Sequence, residues 1–195
     1  MTSDEDLMLK YQNGSHSALE ELFVRYREPL FGFFRRRLEG KDRAEDLTQE
    51  TFLAVMRGVS RYEPRALVRT YFYGIAMNLL FAERRKQFRD ASVDSDADSD
   101  FEPSTREDSD AVLWVKQALE KLEPSEREIL MLREYEQLSY AEIAVLLELP
   151  VNTVRSKLFR ARSALRTQLN PATQRDANTI VTGPTGSPSP SEARR

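Results

Sequence analysis

The sequence predicts an all-α protein built from two small helical domains that a flexible acidic linker joins. Apolar residues recur at helical spacing in almost every periodic segment. No stretch combines period-two alternation with turn residues well enough to predict a strand. Between the periodic segments, residues 90–110 change abruptly to Asp and Ser. We therefore expect helical domains over 1–89 and 111–169, a disordered linker over 90–110 and a disordered tail over 170–195.

The composition excludes several kinds of active site. The 195-residue chain has no Cys and a single His, His16, so disulfides, thiolate metal sites and His-based triads are not available. We expect no cofactor and no metal. No apolar run approaches the roughly 18 residues of a membrane span, and the acidic N-terminus does not resemble a secretory signal. The expected protein is cytoplasmic and not inserted in a membrane.

The formal net charge of −3 conceals an uneven distribution of charge. Residues 89–110 hold nine acidic side chains and two basic ones, which leaves the rest of the chain net positive. Basic clusters lie at 84–89 and 155–166. Clusters of this kind favour a nucleic-acid partner, although solvated helix faces are also commonly basic.

The acidic segment admits two interpretations. Its alternating carboxylates at Asp94, Asp96, Asp98 and Asp100 have the spacing of a calcium-binding loop. That loop needs a turn glycine, which is missing, and Glu at its twelfth position, where this chain has Thr105. The segment also lacks the apolar residues that would compensate for its ordering entropy. A linker is the better interpretation.

Three helices are predicted in the N-terminal domain. In the first, Ser17 and Glu20 have the spacing of a capping box, and Pro29 is expected to kink or break the helix. The second begins at Asp42. The third contains "ALVRTYFYGIAMNLLFAERRKQF" and ends in a basic cluster.

Residues 138–165 predict a helix-turn-helix. Ser139 and Glu142 form a capping box, and Pro150 ends the first helix. In the second helix the apolar positions Val154, Leu158, Ala161 and Leu165 form one stripe. The opposite face carries Asn152, Ser156, Phe159, Arg160 and Ser163, with Arg155 and Arg166 at its edges. Glu148 stands in the turn position where Gly is usual, and Glu tolerates positive φ poorly.

The polar face of that second helix suits DNA. Arg can bridge two acceptors on a guanine edge, and an apolar ring can contact a thymine methyl. The remaining cations suit phosphates, which position the helix without reading sequence. The alternative is a solvated basic helix with one exposed Phe.

Three segments resemble bacterial extracytoplasmic-function sigma factors, and together they span roughly residues 5–168. The stretch "ALEKLEPSEREILMLREYEQLSYAEIAVLLELPVNTVRSKLFRARSALR" resembles the C-terminal promoter-binding domain of that family. "AEDLTQETFLAVMR" is similar to its polymerase-binding helix, and "TYFYGIAMNLLFAERRK" to its promoter-melting helix. The three motifs follow one another in the family's order.

The resemblance implies a role for specific residues. It assigns polymerase binding to Asp46, Gln49 and Glu50. It assigns contacts with the minus-ten promoter element to Tyr71, Asn78, Arg84, Arg85 and Lys86. It assigns contacts with the minus-thirty-five element to Asn152, Thr153, Arg155, Ser156, Lys157, Phe159 and Arg160.

The residues alone leave other readings open for two of these groups. The acidic set on the second helix has the composition of a solvated surface, and the aromatics at 71–73 have that of core. Tyr71 stands where the family commonly has Trp, and Met77 where it commonly has Arg, so the accepted bases are not fixed by the resemblance.

The expected function is a transcription initiation factor without catalytic chemistry of its own. The resemblance implies core RNA polymerase (its beta-prime clamp and beta flap) and promoter DNA as partners, with an anti-sigma factor as a candidate partner. One alternative is a helix-turn-helix regulator that is not a sigma subunit, but residues 1–88 lack the alternating βα pattern of a receiver. The other is a metal-dependent nuclease, for which the carboxylates do not converge at a defined spacing.

Overall fold

The computed structural model describes residues 2–64, 67–93 and 110–169, and it confirms the all-α prediction within those ranges. The N-terminal helices are α1 (Asp4–Gln12), α2 (His16–Arg35), α3 (Lys41–Gly58) and α4 (Val68–Val93), with a 3₁₀ turn at Val59–Arg61. The C-terminal helices are α5 (Asp110–Glu120), α6 (Pro124–Glu134), α7 (Tyr140–Leu146) and α8 (Val151–Leu169).

The predicted linker and tail fall largely outside the described residues. Residues 94–109 and 170–195 are not among them, so the calcium-loop alternative and the predicted disorder also lie outside. Helix α4 continues to Val93 and α5 begins at Asp110, so both helices enter the segment assigned to the linker.

One prediction about α2 was wrong, and the break expected as one outcome at Pro29 does not occur. The helix begins at His16 after Ser15, so Ser17 lies inside the first turn, where it cannot cap the helix. The helix also runs without a break through Pro29. Leu22 and Tyr26 before the proline, and Leu30 and Phe33 after it, are buried in one core. This packing outweighs the cost of about 3 kcal/mol that a proline imposes on a helix interior.

Aromatic side chains dominate the core between α2, α3 and α4. The Phe72 ring stacks on Tyr26 with centroids 4.4 Å apart and meets Phe52 edge-on at 5.5 Å. Phe72 and Tyr73 are buried, which supports the core alternative for these two aromatics. Tyr71, the third of these adjacent aromatics, is only half-buried, so part of its side chain remains accessible to solvent.

The helix-turn-helix forms as predicted. Ser139 and Glu142 make the reciprocal bonds of the capping box, at 3.2 and 2.8 Å. Glu148 takes the left-handed conformation that the turn demands, with φ of 53°. Val154, Leu158 and Ala161 of α8 are buried, and Leu165 is half-buried against the same core.

The N-terminal and C-terminal helices pack against each other, which the sequence did not predict. At the end of α2, Arg37 lies 2.9 Å from both Glu128 and Glu136. Between α4 and α7, the Leu146 side chain lies 3.8 Å from the point where Gly74 would carry a Cβ. As a result, one continuous apolar core extends through both halves of the described chain.

Candidate nucleic-acid and polymerase interfaces

Helix α8 turns one polar face to solvent. Its apolar residues recur at i, i+4 and i+7, so they form one stripe, and this stripe packs against α6 and α7. Phe159 is 71% exposed, far more than a core aromatic would be. The structure brings all seven predicted residues onto this helix. Five are exposed, and Thr153 and Lys157 are half-buried at its margin; the exposed five are Asn152, Arg155, Ser156, Phe159 and Arg160.

The cations of α8 differ in their partners. The Arg160 Nε atom forms an ion pair with Glu126 Oε1 at 2.8 Å. The Lys157 ammonium donates to the Ser125 hydroxyl and lies 3.6 Å from the Glu123 carboxylate. Arg155, by contrast, forms no ion pair with any residue of the described ranges. Arg155 can therefore contact an anion without leaving a carboxylate, unlike Lys157 and Arg160.

The N-terminus of α6 supplies partners for Lys157 and Arg160, which no sequence pattern had indicated. Glu123 caps α6 by accepting the backbone N–H of Glu126 at 3.1 Å. Hydrogen bonds from the Ser125 side chain and backbone, together with the nearby Lys157 ammonium, lower the pKa of Glu123 to about 2. Its carboxylate is therefore charged at neutral pH and attracts the cations of α8.

On α4, Tyr71 and Asn78 lie seven residues apart and so share a face. Asn78 is exposed, while Tyr71 packs at 5.4 Å against the Tyr62 ring. Partial burial raises the pKa of Tyr71, so its hydroxyl is neutral at physiological pH. Met77, at the position where the family commonly has Arg, is buried and cannot reach a ligand. Tyr71 and Asn78 thus form the accessible part of this motif.

The C-terminal part of α4 is strongly basic at its surface. All of its cations from residue 84 to 89 are exposed: Arg84, Arg85, Lys86 and Arg89. The single acid between 79 and 89 is Glu83, which is buried beside α3. Arg43 Nη2 donates to Glu83 Oε2 at 2.6 Å, and this hydrogen bond is the main cause of the lowered pKa of Glu83. Because Glu83 is buried and paired with Arg43, the exposed side chains of residues 84–89 carry only positive charge.

Helix α3 carries the predicted polymerase-binding residues on an exposed face. Asp46, Gln49 and Glu50 all point to solvent, at spacings of three and four residues. Arg43 Nη1 lies 3.6 Å from both the Asp46 and the Glu50 carboxylates. Arg43 was not singled out from the sequence, although its position three residues before Asp46 has the spacing of a helical ion pair. It joins this acidic face to α4.

An apolar groove of about 320 Å³ opens beside Gln49, between α2 and α3. The rings of Phe23, Phe31 and Phe52 line it, together with charged side chains at its rim. Phe23 is 41% exposed and contacts Phe52 at 4.7 Å. The acidic face of α3 therefore borders a surface that can receive an apolar side chain.

Within residues 2–64, 67–93 and 110–169, no three His, Cys, Asp or Glu side chains converge as metal ligands would. The helices of those same ranges include none with the length and apolar content needed to cross a bilayer.

Family models match both halves of the chain. A model described as "Sigma-70 region 2" matches residues 22–89, and one described as "Sigma-70, region 4" matches residues 113–165. The first contains α3 and the exposed residues of α4, and the second contains the helix-turn-helix.

Curated relatives extend over most of the chain. The RNA polymerase sigma-H factor of Pseudomonas aeruginosa is 30% identical over 184 residues, which cover 86% of this chain and 94% of that protein. The sigma factor CarQ of Myxococcus xanthus is 32% identical, over 82% of this chain and 93% of CarQ. The ECF sigma-E factor of Escherichia coli is 29% identical, over 89% and 97%.

Solved structures share the fold. CnrH, in complex with the cytosolic domain of CnrY, superposes with a TM-score of 0.66 at 23% identity, covering 91% of this chain and 99% of CnrH. RpoE of Bartonella quintana, in complex with the anti-sigma factor NepR, gives 0.63 at 22% identity, over 77% and 95%.

Proposed function

Because the chain belongs to the extracytoplasmic-function group of the sigma-70 family, we propose that it directs core RNA polymerase to one class of promoters and assists their melting. The observation that carries this proposal is the combination of three surfaces on one chain. An acidic face on α3, a polar and basic face on α4 and a helix-turn-helix all point to solvent. The protein acts by binding, without catalytic chemistry of its own, in the cytoplasm where its polymerase works.

The α3 face binds the beta-prime clamp of the polymerase. The Asp46 and Glu50 carboxylates attract basic side chains, and the Gln49 amide can donate to or accept from a partner's polar groups. Arg43 restrains both carboxylates at 3.6 Å, which lowers the entropy that binding has to remove. The groove at Phe23 and Phe31 adds apolar contact area next to them.

A second groove suits the beta flap. It measures about 340 Å³ and lies between α5, α6 and α8, with Leu119, Leu130 and Leu165 among its lining. Its wall is mostly apolar, with Glu134 and Arg162 at the rim. A groove of this composition accepts the apolar face of a partner helix.

The α4 face binds the minus-ten element. The Asn78 amide offers both a donor and an acceptor to the edge of an unpaired base. The Tyr71 ring, held against Tyr62, offers a flat surface on which a base can stack. Arg84, Arg85 and Lys86 neutralise nearby phosphates.

The α8 face binds the minus-thirty-five element in the major groove. Arg155, Ser156, Phe159 and Arg160 form its exposed centre and meet base edges. Asn152 and Thr153 lie in the first turn, where backbone N–H groups also favour a phosphate. Lys157 lies at the margin, where it suits a phosphate.

An anti-sigma factor is the expected regulatory partner. The neighbouring structure from Bartonella quintana contains such a factor bound to a sigma factor of the same fold. The exposed apolar grooves and basic faces described above are the surfaces that such a partner would cover.

The proposal is tested by adding the purified chain to core polymerase and mapping transcript starts on genomic DNA. We expect new starts that share two upstream sequence elements. If the chain binds DNA but creates no starts and does not associate with core polymerase, it is a helix-turn-helix regulator of another kind.

A further inference from the structure

A polar cavity of about 450 Å³ opens where the N-terminal helices pack against the C-terminal helices. The N-terminal half contributes Tyr26, Arg69 and Tyr73 to its wall. The C-terminal half contributes Tyr135 and Gln137, which follow α6. We call this space the junction cavity, because neither half encloses it alone. Its volume lies within the range of roughly 300–1,000 Å³ that small-molecule sites occupy.

Tyr73 brings a hydroxyl without a partner to the junction cavity. This residue is only 3% exposed, and its ring packs against Phe33 with centroids 5.6 Å apart. The neighbouring Tyr26 hydroxyl donates to Asp4, but the Tyr73 hydroxyl forms no hydrogen bond within residues 2–64, 67–93 and 110–169. Polar groups this deeply buried are normally paired with protein or with another molecule. The Tyr73 hydroxyl is therefore available to a molecule in the cavity.

The charged side chains of the cavity wall leave one cation unpaired. The Asp4 carboxylate is held by Arg25, and the Glu136 carboxylate by two arginines of the α2 end. Arg69 is half-buried and has no hydrogen bond or ion pair with any residue that the structure describes. An exposed carboxylate, Glu28, also lines the cavity, where water solvates it, and it does not pair with Arg69. The charge available to a ligand inside the cavity is therefore positive.

The unpaired cation and the unpaired hydroxyl lie together. Arg69 and Tyr73 are four residues apart on α4, so they are neighbours on one face of the helix. Burial, with a smaller contribution from the Glu136 carboxylate, raises the pKa of Tyr73 to about 12. The hydroxyl thus stays protonated at neutral pH and can donate. Arg69 also lies in the first turn of α4, where the helix dipole adds positive potential.

This pair of donors is suited to an oxyanion. A guanidinium group donates to two oxygens of a carboxylate or a phosphate at once, and a phenolic hydroxyl donates to a third oxygen or shares one of the two. The rest of the wall is suited to a polar molecule. It includes the Gln137 amide and the Tyr135 ring, which is 50% exposed.

We propose that the junction cavity binds a small molecule through a carboxylate or phosphate group held by Arg69 and Tyr73. Gln137 and Tyr135 of the C-terminal half contact the remainder of the ligand. The inference goes beyond the proposed function, because this binding requires neither DNA nor polymerase.

The site is tested with the full chain, using inorganic phosphate and citrate as probes in calorimetric titration and thermal unfolding. Chloride at equal ionic strength is the reference, because ionic strength alone changes the screening of charges. We expect at least one probe to bind saturably and to raise the Tm, as a ligand of the folded state does. Binding of phosphate alone would identify a phosphate-bearing ligand, and binding of citrate alone a carboxylate-bearing one.

Two variants locate the bound probe, which the basic faces of α4 and α8 also attract. Tyr73→Phe removes only the unpaired hydroxyl, so we expect an unchanged Tm without probe and a probe affinity roughly 10- to 100-fold lower, as for loss of a hydrogen bond to a charged group. Arg69→Gln is expected to abolish saturable binding. The matched controls are Tyr11→Phe and Arg61→Gln, which lie outside the cavity and are expected to keep the wild-type affinity.

Three results would overturn the inference. The first is that neither probe binds more than chloride does. The second is wild-type affinity in Tyr73→Phe and Arg69→Gln, which would place the bound anion on the basic faces and leave only water on the Tyr73 hydroxyl. The third is a Tm of Tyr73→Phe that falls in the absence of probe, which would show that the hydroxyl already has a partner in the folded protein.

Discussion

Arg37, two residues beyond α2, and Glu136, two residues beyond α6, form an ion pair of 2.9 Å between side chains that are each only 1% exposed. The pair links the N-terminal and C-terminal helices. Arg37 also reaches Glu128 at 2.9 Å and lies over the Phe33 ring at 4.0 Å, while Arg36 binds the other Glu136 oxygen at 2.9 Å. Each buried charge therefore depends on partners from the other half of the chain.

Removal of one partner is expected to be costly. Glu136→Ala leaves the Arg37 guanidinium with fewer partners in a buried site, so the free energy of unfolding should fall by about 3–5 kcal/mol. The control is Glu134→Ala, whose ion pair with Arg162 is half exposed and should contribute no more than about 1 kcal/mol. Denaturant unfolding measures both. Equal losses in the two variants would mean that the halves do not pack through Arg37.

The ion pair of Arg43 and Glu83 is expected to make stability depend on pH. The hydrogen bond from Arg43 lowers the pKa of Glu83 in the folded protein. The stabilisation is therefore complete above the ordinary Glu pKa of about 4.3 and is lost as the pH falls through the lower folded value. We expect Glu83→Gln to be less stable than wild type at neutral pH, with a difference that shrinks in acid.

Unfolding in denaturant at neutral pH and at acid pH measures this difference. Glu45→Gln is a suitable control, because its ion pair with Lys41 is exposed and spans 3.4 Å. If the difference in unfolding free energy between Glu83→Gln and wild type stayed constant with pH, the hydrogen bond from Arg43 would not lower the pKa of Glu83.

Replacing two different cations of α8 is expected to affect duplex binding in different ways. Arg160→Ala should cost roughly 1–3 kcal/mol and relax the preference at one base position. Lys157→Ala should weaken binding to all sequences alike and reduce the salt slope by about one. Binding of the full chain to a promoter library at two salt concentrations distinguishes these outcomes. The same uniform loss in both variants would mean that α8 positions the protein without reading sequence through Arg160.

Phe159 is expected to contribute at particular sites. Its exposed ring suits a thymine methyl group, so Phe159→Ala should weaken binding most where the preferred sequence has thymine. The same library measures this. A loss that is equal at thymine and at other bases would assign Phe159 to general packing against the DNA.

The left-handed Glu148 is expected to be a point of strain. A non-glycine residue in that conformation costs roughly 1–2 kcal/mol, and Gly adds about 0.5–1 kcal/mol of entropy to the unfolded state. Glu148→Gly should therefore stabilise the protein, by up to about 1 kcal/mol. Val145→Gly, at an exposed helical position, should instead destabilise it by roughly 0.3–0.5 kcal/mol, the difference between the helix propensities of Val and Gly. Thermal unfolding measures the stability of both variants. A Glu148→Gly variant that is less stable than wild type would show that Glu148 is not strained.

Local patterns predicted the helices other than α1 (Asp4–Gln12), which was missed, but they did not predict which helices meet. The capping box at Ser139 and the apolar stripe of α8 depend on residues three or four positions apart. Such short spacings can be recognised directly in the sequence. The Ser17 prediction failed because a Ser and a Glu three residues apart also occur inside a helix, and α2 already begins at His16. Arg37 and Glu136 are 99 residues apart, and no periodicity relates them.

The same distinction between local patterns and long-range contacts applies to the site residues. Exposure of Asn78, Gln49 and Phe159 follows from helical phase, so the sequence could indicate it. The charged partners that hold these surfaces could not be predicted, because Arg43 reaches Glu83 across 40 positions and Arg160 reaches Glu126 between separate helices.

The most direct test of the central claim is the affinity of the full chain for core RNA polymerase, measured for wild type and for a Gln49→Ala, Glu50→Ala double variant. The control is Glu20→Ala, an exposed carboxylate on α2. The account predicts that wild type and the control bind equally well, and that the double variant binds much more weakly while its helical content is unchanged. Equal binding by the double variant, or no binding by the wild type, would contradict it.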